Sequence, residues 1–182
     1  MFKNALVSVS DKTGLADFIK PLVAKGMRVV STGGTARYLK DHGIDVVQVS
    51  EQTQFPEVMD GRVKTLHPRI HMCLLARDFV DKDMQILREH DLEPFDLVVG
   101  NLYAFEKALV DGLESRELQE FIDIGGPSLL RAAAKNFSRI AVVCDPNDYQ
   151  NILHKGELEV EDRRQLAAKV FAHVSAYDGM VA

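Results

Sequence analysis

The run FDLVVGNLY, residues 95–103, constrains the fold of this chain more than any other stretch. Leu97, Val98 and Val99 are apolar at successive positions, so a strand here presents apolar groups on both faces. Such a strand belongs inside a parallel sheet with helices packed above and below it. The remaining pattern agrees, because short β-branched runs alternate with longer amphipathic segments. ALVSVS (5–10), MRVVST (27–32), DVVQVS (45–50) and RIAVVC (139–144) read as further strands. Helices are predicted over TGLADFIKPLVAKG, with Pro21 disturbing its middle, over GGTARYLKDHG, around 70–77, at 80–91, and over PSLLRAAAKN (127–136) with Pro in its first turn. A terminal helix runs from about 160, with Val160, Leu166, Val170, Phe171, Val174 and Tyr177 as one apolar stripe. The expected fold class is α/β, with a mainly parallel sheet and a single domain over 1–182.

Ligands of such sheets lie beyond the carboxyl ends of the strands. The candidate motifs fall there: SDKTG after the first strand, STGGT at the end of the second, GNLYAF after the apolar strand, and DIGGPS before a helix. STGGT (31–35) presents backbone N–H groups at a helix start, where an anion is favoured, and Ser31, Thr32 and Thr35 add hydroxyls. Alone, it is equally a tight strand-to-helix turn with a threonine cap. Lys12, one strand away at about 4.8 Å spacing, tips the balance towards phosphate. Asp11 reads better as a cap for a helix from Thr13. Gly125 and Gly126 allow close approach to a helix start at Pro127, and Lys135 lies about two turns beyond. The irregular segment DGRVKTLHPRIH (60–71) gathers Arg62, Lys64, Arg69 and two histidines in a chain whose net charge is −5.

That net charge excludes a general nucleic-acid binder, and no segment suits a membrane span or a signal peptide. Cys73 and Cys144 fit reduced thiols of a cytoplasmic protein, and Cys73 in MCLLA suits a buried, inert one. His67 and His71 have i, i+4 spacing but flank Pro68 and lack any HExxH pattern, so no metal site is expected.

SVSDKTG, STGGTA, GRVKTLHP, NLY-x-F and IDIGG-x-SLLRAAAKN, in this order and spacing, resemble the IMP cyclohydrolase domain of the bifunctional AICAR transformylase/IMP cyclohydrolase family. The likeness extends through RRQLAAKVFAHVSAYD (163–178). STGGTA alone is shared in kind with methylglyoxal synthase and with a regulatory domain of carbamoyl phosphate synthetase, whereas GRVKTLHP with IDIGG and LLRAAAKN is specific. Ala104 stands where the family usually has proline, and Met72 and Cys73 where it has small residues.

The resemblance implies a methylglyoxal-synthase-like three-layer α/β/α sandwich. It implies dehydrative ring closure of the formamido nucleotide FAICAR to IMP, the last step of purine synthesis, without metal or cofactor. It further implies a homodimer, and a transformylase either fused or separate, although no transformylase domain is present in these residues. By the same resemblance, Ser10, Lys12, Ser31, Thr32, Gly33, Gly34 and Thr35 would hold the 5′-phosphate. Arg62, Thr65, Asn101 and Gly125 would surround the base, and Lys64, Tyr103, Asp123 and Lys135 would carry the proton transfers. In that scheme Lys135 lies near the formyl oxygen, Asp123 on the carboxamide, and the Lys64 ammonium lowers the Tyr103 phenol's pKa. The alternatives are a non-enzymatic nucleotide-binding regulatory domain, which needs the phosphate cradle alone, and a triose-phosphate lyase, which needs a carboxylate beside the cradle.

Overall fold

A computed structural model describes all 182 residues. Five strands form one wholly parallel sheet: β1 (Asn4–Ser8), β2 (Arg28–Ser31), β3 (Val47–Gln48), β4 (Leu97–Gly100) and β5 (Ala141–Val143), in the order β3-β2-β1-β4-β5. Val7 pairs with Ser31 on one side and Val99 on the other, so the ends of β1, β2 and β4 lie level.

The helices are α1 (Leu15–Val23), α2 (Gly33–Asp41), α3 (Val49–Thr53), α4 (Pro68–Leu75), α5 (Asp81–Glu89), α6 (Phe105–Val110), α7 (Ser115–Leu118), α8 (Gly125–Lys135), α9 (Tyr149–Lys155) and α10 (Val160–Val181). Strand alternation divides the core in two. Leu6, Val30, Val98 and Val142 face a cluster with Ile70, Leu74, Leu130, Val170 and Val174 from α4, α8 and α10. Ala5, Val7, Val29, Leu97, Val99 and Val143 face the other side with Leu15, Phe18, Ile19 and Leu39, and Phe18 stacks on Tyr149 at 4.3 Å between ring centroids. This is the three-layer α/β/α arrangement that the doubly apolar strand required.

Three expectations change. The third strand has only two residues, because Gln48 and Glu51 form a reciprocal capping box that winds 49–53 into α3. The helix after IDI begins at Gly125 rather than Pro127, which puts both glycines in its first turn. Of the terminal stripe, Val170, Val174 and Tyr177 are buried with Ala167, while Val160 and Phe171 are 50 % and 41 % exposed. Pro21 does not end α1, which runs on to Val23. No helix is long and apolar enough to cross a membrane.

Gly179 lies inside α10 with helical backbone, and a Cβ there meets nothing within 4 Å. Gly179→Ala is therefore expected to stabilise the fold by about 0.5–1 kcal/mol through helix propensity alone. Thermal denaturation checks this, and a lower Tm than wild type would contradict it.

Candidate active site

From β1 the chain steps outward through β2 to β3, then returns to lay β4 and β5 on the other side of β1. The strand order therefore switches between β1 and β4, where an open α/β sheet leaves a crevice beyond its carboxyl ends. A cleft of about 830 Å³ occupies that place. Its walls are the loop after β1, the first turn of α2, the segment 60–66, the loop after β4, and 119–126 leading into α8. All the expected site residues except Ser31, Gly33 and Lys135 line it.

Of the hydroxyls in the expected cradle, those of Ser31, Thr32 and Thr35 are already engaged. Ser31 Oγ donates to the Val7 carbonyl at 2.8 Å, and Thr35 Oγ1 both accepts from the Val9 N–H at 3.1 Å and donates to its carbonyl at 3.0 Å. Thr32 Oγ1 lies 3.0 Å from Ser8 Oγ. These bonds lash the end of β1 to the start of α2. What remains for an anion is the Ser10 hydroxyl and the Gly34 and Thr35 N–H groups in the first turn of α2, which have no partner within the helix, together with Lys12. Gly33 turns towards a neighbouring polar groove, and its N–H reaches Glu57 Oε1 at 3.4 Å.

Asn101 likewise has a structural occupation. Its Oδ1 accepts from the Ser10 and Asp11 N–H groups at 2.6 and 2.9 Å, and its Nδ2 donates to the Asp11 carbonyl at 2.8 Å. It thus bridges the ends of β1 and β4 and shapes the loop that presents Lys12. Asp11 does not cap a helix. It closes a local turn by accepting from Thr13 N–H and Oγ1, and α1 starts later, after Gly14 in a left-handed conformation (φ +66°).

The opposite wall carries the titratable groups. Asp123 Oδ1 accepts from the Gly126 N–H at 2.7 Å. Burial raises the Asp123 pKa, against the lowering effects of that N–H, of Lys64 and of the Tyr103 backbone. The Tyr103 phenol is raised as well, first by burial and then by Asp123. This reverses the expected coupling: Lys64 acts on Asp123, and Tyr103 feels the carboxylate instead of an ammonium that would acidify it.

Both glycines at the start of α8 are there for close approach. A Cβ on Gly125 would stand 2.8 Å from Thr65 Oγ1, and one on Gly126 would stand 2.5 Å from Asp123 Oδ2 and 2.8 Å from Leu102 Cδ2.

The segment 58–63 is a tight loop, with Val58 and Val63 paired antiparallel and Met59, Asp60 and Gly61 all at positive φ. Arg62 at its end is paired with Glu120 across the cleft mouth, so its charge is largely answered within the chain. His67 shapes the next turn as expected, capping α4 by accepting from Arg69 N–H at 3.2 Å, with Pro68 at the first helical position. Cys73 is buried and its thiol is pushed up to about 11, as suits an inert side chain.

Lys135 stands apart. It occupies the last turn of α8 and is exposed, about 15 Å along the axis from Gly125. It does not join Lys64 and Asp123 in the cleft of this chain.

Sequence reading missed Glu57, Glu120 and Tyr177. Glu57 and Glu120 sit in stretches without period, and nothing local marks their partners. Tyr177 stood in an apolar stripe, where a buried phenol signals that a hydrogen-bond partner exists.

The MGS-like domain family matches residues 14–128, more than half of the chain. The chain belongs to that family. The AICARFT/IMPCHase bienzyme family matches this MGS-like domain protein further on, over 133–182, which takes in the last turn of α8, β5, α9 and all of α10. The bifunctional purine biosynthesis protein PurH of Aquifex aeolicus is 50 % identical over 181 residues, covering 98 % of this chain and 36 % of the relative. PurH of Bacillus subtilis is 48 % identical over 185 residues, again covering 36 % of the relative. The MGS-like chain thus spans about a third of the length of the curated relatives it matches. Among solved structures, the crystal structure of ForH superposes with a TM-score of 0.85 at 33 % identity, covering 100 % of this chain and 97 % of that one.

Proposed function

We propose that residues 1–182 act as one IMP cyclohydrolase unit that closes FAICAR to IMP with loss of water. The observation that carries this reading is the meeting of Lys64, Tyr103 and Asp123 with the helix-start cradle in one cleft. A nucleotide-binding regulatory domain needs the cradle alone and gives no reason to bury a carboxylate beside a lysine. Near 50 % identity to PurH over almost the whole chain supports the same choice.

In this reading the phosphate sits on the first turn of α2 beside Lys12, and the base reaches towards Asp123. The Asp123 carboxylate takes a proton from the carboxamide nitrogen as that nitrogen bonds to the formyl carbon. The formyl oxygen gains negative charge and takes a proton from the Lys64 ammonium. The carbon–oxygen bond then breaks as Asp123 returns its proton to the leaving hydroxyl, and the formamido nitrogen forms the ring C=N bond by giving its proton to the Lys64 amine, which releases water and restores both residues. The raised pKa of Tyr103 keeps its phenol protonated, so it serves as a hydrogen-bond donor to the developing oxyanion.

Lys135 enters this chemistry only when a second copy presents it, which accords with the homodimer that the family resemblance implies. A transformylase, fused or separate, would supply FAICAR.

The deciding test adds FAICAR to the purified chain with chelator present and follows the ultraviolet change on IMP formation. Absence of turnover with retained IMP binding would favour the regulatory reading. Two variants extend it. Lys12→Ala is expected to raise KM about five-fold, as fits loss of an exposed lysine–phosphate contact worth about 1 kcal/mol, with little change in kcat. Mixing Lys135→Ala with Asp123→Asn, each nearly inactive alone, is expected to restore roughly a quarter of wild-type activity through mixed dimers that regain one intact site. No recovery on mixing would remove Lys135 from the chemistry.

A further inference from the structure

Tyr177 is a buried phenol, 6 % exposed, on the inner face of α10. Its hydroxyl accepts from the Asp123 N–H at 2.7 Å and donates to the Phe121 carbonyl at 2.7 Å. Both bonds are short, and they cross 54 and 56 residues of sequence. The segment they hold needs such support. Residues 119–121 form a single 3₁₀ turn, Ile122 is extended, and α8 begins only at Gly125. The Asp123 side chain is fixed at its other end by the Gly126 N–H. Asp123 is therefore tied at the backbone by α10 and at the carboxylate by α8. The tie on α10 is stiff, because Ala167, Val170 and Val174 on the same face are buried against the sheet and α8.

Packing alone does not explain the hydroxyl. Phenylalanine fills the same volume, and a buried hydroxyl is a cost unless it is bonded. Its geometry answers one donor and one acceptor of the segment that carries the candidate base.

We propose that Tyr177 is a positioning residue, through which the terminal helix sets the place of Asp123 in the cleft. This rests on the reading of Asp123 as proton acceptor. A tilt of the last turns of α10 then reaches the reacting end of the cleft directly, without passing through the sheet.

Tyr177→Phe tests it. The variant keeps the ring and removes only the two hydrogen bonds. It is expected to lower kcat by ten- to a hundred-fold with KM within about two-fold, because the phosphate cradle is untouched. The acidic limb of the kcat–pH profile should move to lower pH, as a looser Asp123 meets more water and loses part of the raising effect of burial. Lys64 and Tyr103, the other ionisable groups facing it, are unchanged in the variant. Amide hydrogen exchange at 121–126 should speed up while β1 and β4 stay protected. Ile152→Ala, on α9 in the core cluster across the sheet, serves as the packing control: it should lower Tm while leaving kcat, the pH profile and exchange at 121–126 as in wild type.

A Tyr177→Phe protein with wild-type kcat, pH profile and exchange would overturn the proposal. So would Ile152→Ala reproducing the same pH shift. If the wild-type chain turns over no FAICAR, the cyclohydrolase reading fails on its own, and hydrogen exchange at 121–126 still decides whether Tyr177 fixes Asp123.

Discussion

Asp123→Asn is expected to lower kcat for ring closure by about a thousand-fold, the range of a lost general base. KM should stay within a few-fold, since the cradle lies on the other wall. The shape of the site should survive, because an asparagine oxygen can still accept from the Gly126 N–H that now bonds Oδ1. The sign of the pKa shift adds a second readout. Burial is the largest influence on Asp123 and raises its pKa, so the folded chain holds this proton more tightly than the unfolded chain does. Its contribution to stability is present at low pH and is lost as pH rises through the raised value. At neutral pH the ionised group is thus a burden on the fold, and Asp123→Asn should give a Tm equal to or above that of wild type. For the same reason the acidic limb of wild-type activity should lie above the ordinary carboxylate range of about 4. An Asn variant that is both inactive and clearly less stable would point to a structural carboxylate instead of a base.

Gly126→Ala should be as damaging by another route. The added methyl would stand 2.5 Å from Asp123 Oδ2 and 2.8 Å from Leu102 Cδ2, and neither neighbour is the end of a long, freely swinging chain. Relief requires the carboxylate to leave its place or α8 to shift, and overpacking of this kind costs about 1–3 kcal/mol. Activity is expected to fall by a hundred-fold or more, with a Tm several degrees lower. Gly34→Ala provides the contrast in stability, because a Cβ at Gly34 meets nothing within 4 Å. Equal thermal losses in the two variants would show that helix-start glycines matter here for a reason other than contact with Asp123.

The sheet was legible because burial on both faces leaves an unmistakable trace, as in Leu97, Val98 and Val99. Strand-end clustering then located the cleft, since topology fixes where such residues meet. Local chemistry defeated the same reading at 45–50, where apolar alternation suggests a strand but the Gln48–Glu51 cap turns the chain into α3. The roles of individual side chains were less legible, because they depend on partners far away in sequence. Arg62 reads as a free cation until Glu120, 58 residues on, answers it. Thr35 and Asn101 read as ligand donors, yet each is engaged in holding the loop after β1. The direction of the Tyr103 shift could not be read either, because burial and the position of Asp123 decide it. Lys135 looked close to Asp123 by motif, and a helix of 11 residues carries it out of the cleft.

The use of the Thr35, Thr32 and Ser31 hydroxyls to fasten β1 to the end of β2 and the start of α2 has a consequence for working conditions. A phosphate held here would be gripped mainly by main-chain amides at a helix start and the Ser10 hydroxyl, with Lys12 as the flexible cation on that wall. Pairing through an exposed lysine fades as sodium chloride shrinks the screening length from about 8 Å at physiological strength to 3 Å at 1 M. The fixed Gly34 and Thr35 amides are far less sensitive to that screening, yet they accept any tetrahedral oxyanion of the right size. Brine should therefore disturb this cleft little, while sulfate or phosphate buffer would crowd it at much lower concentration.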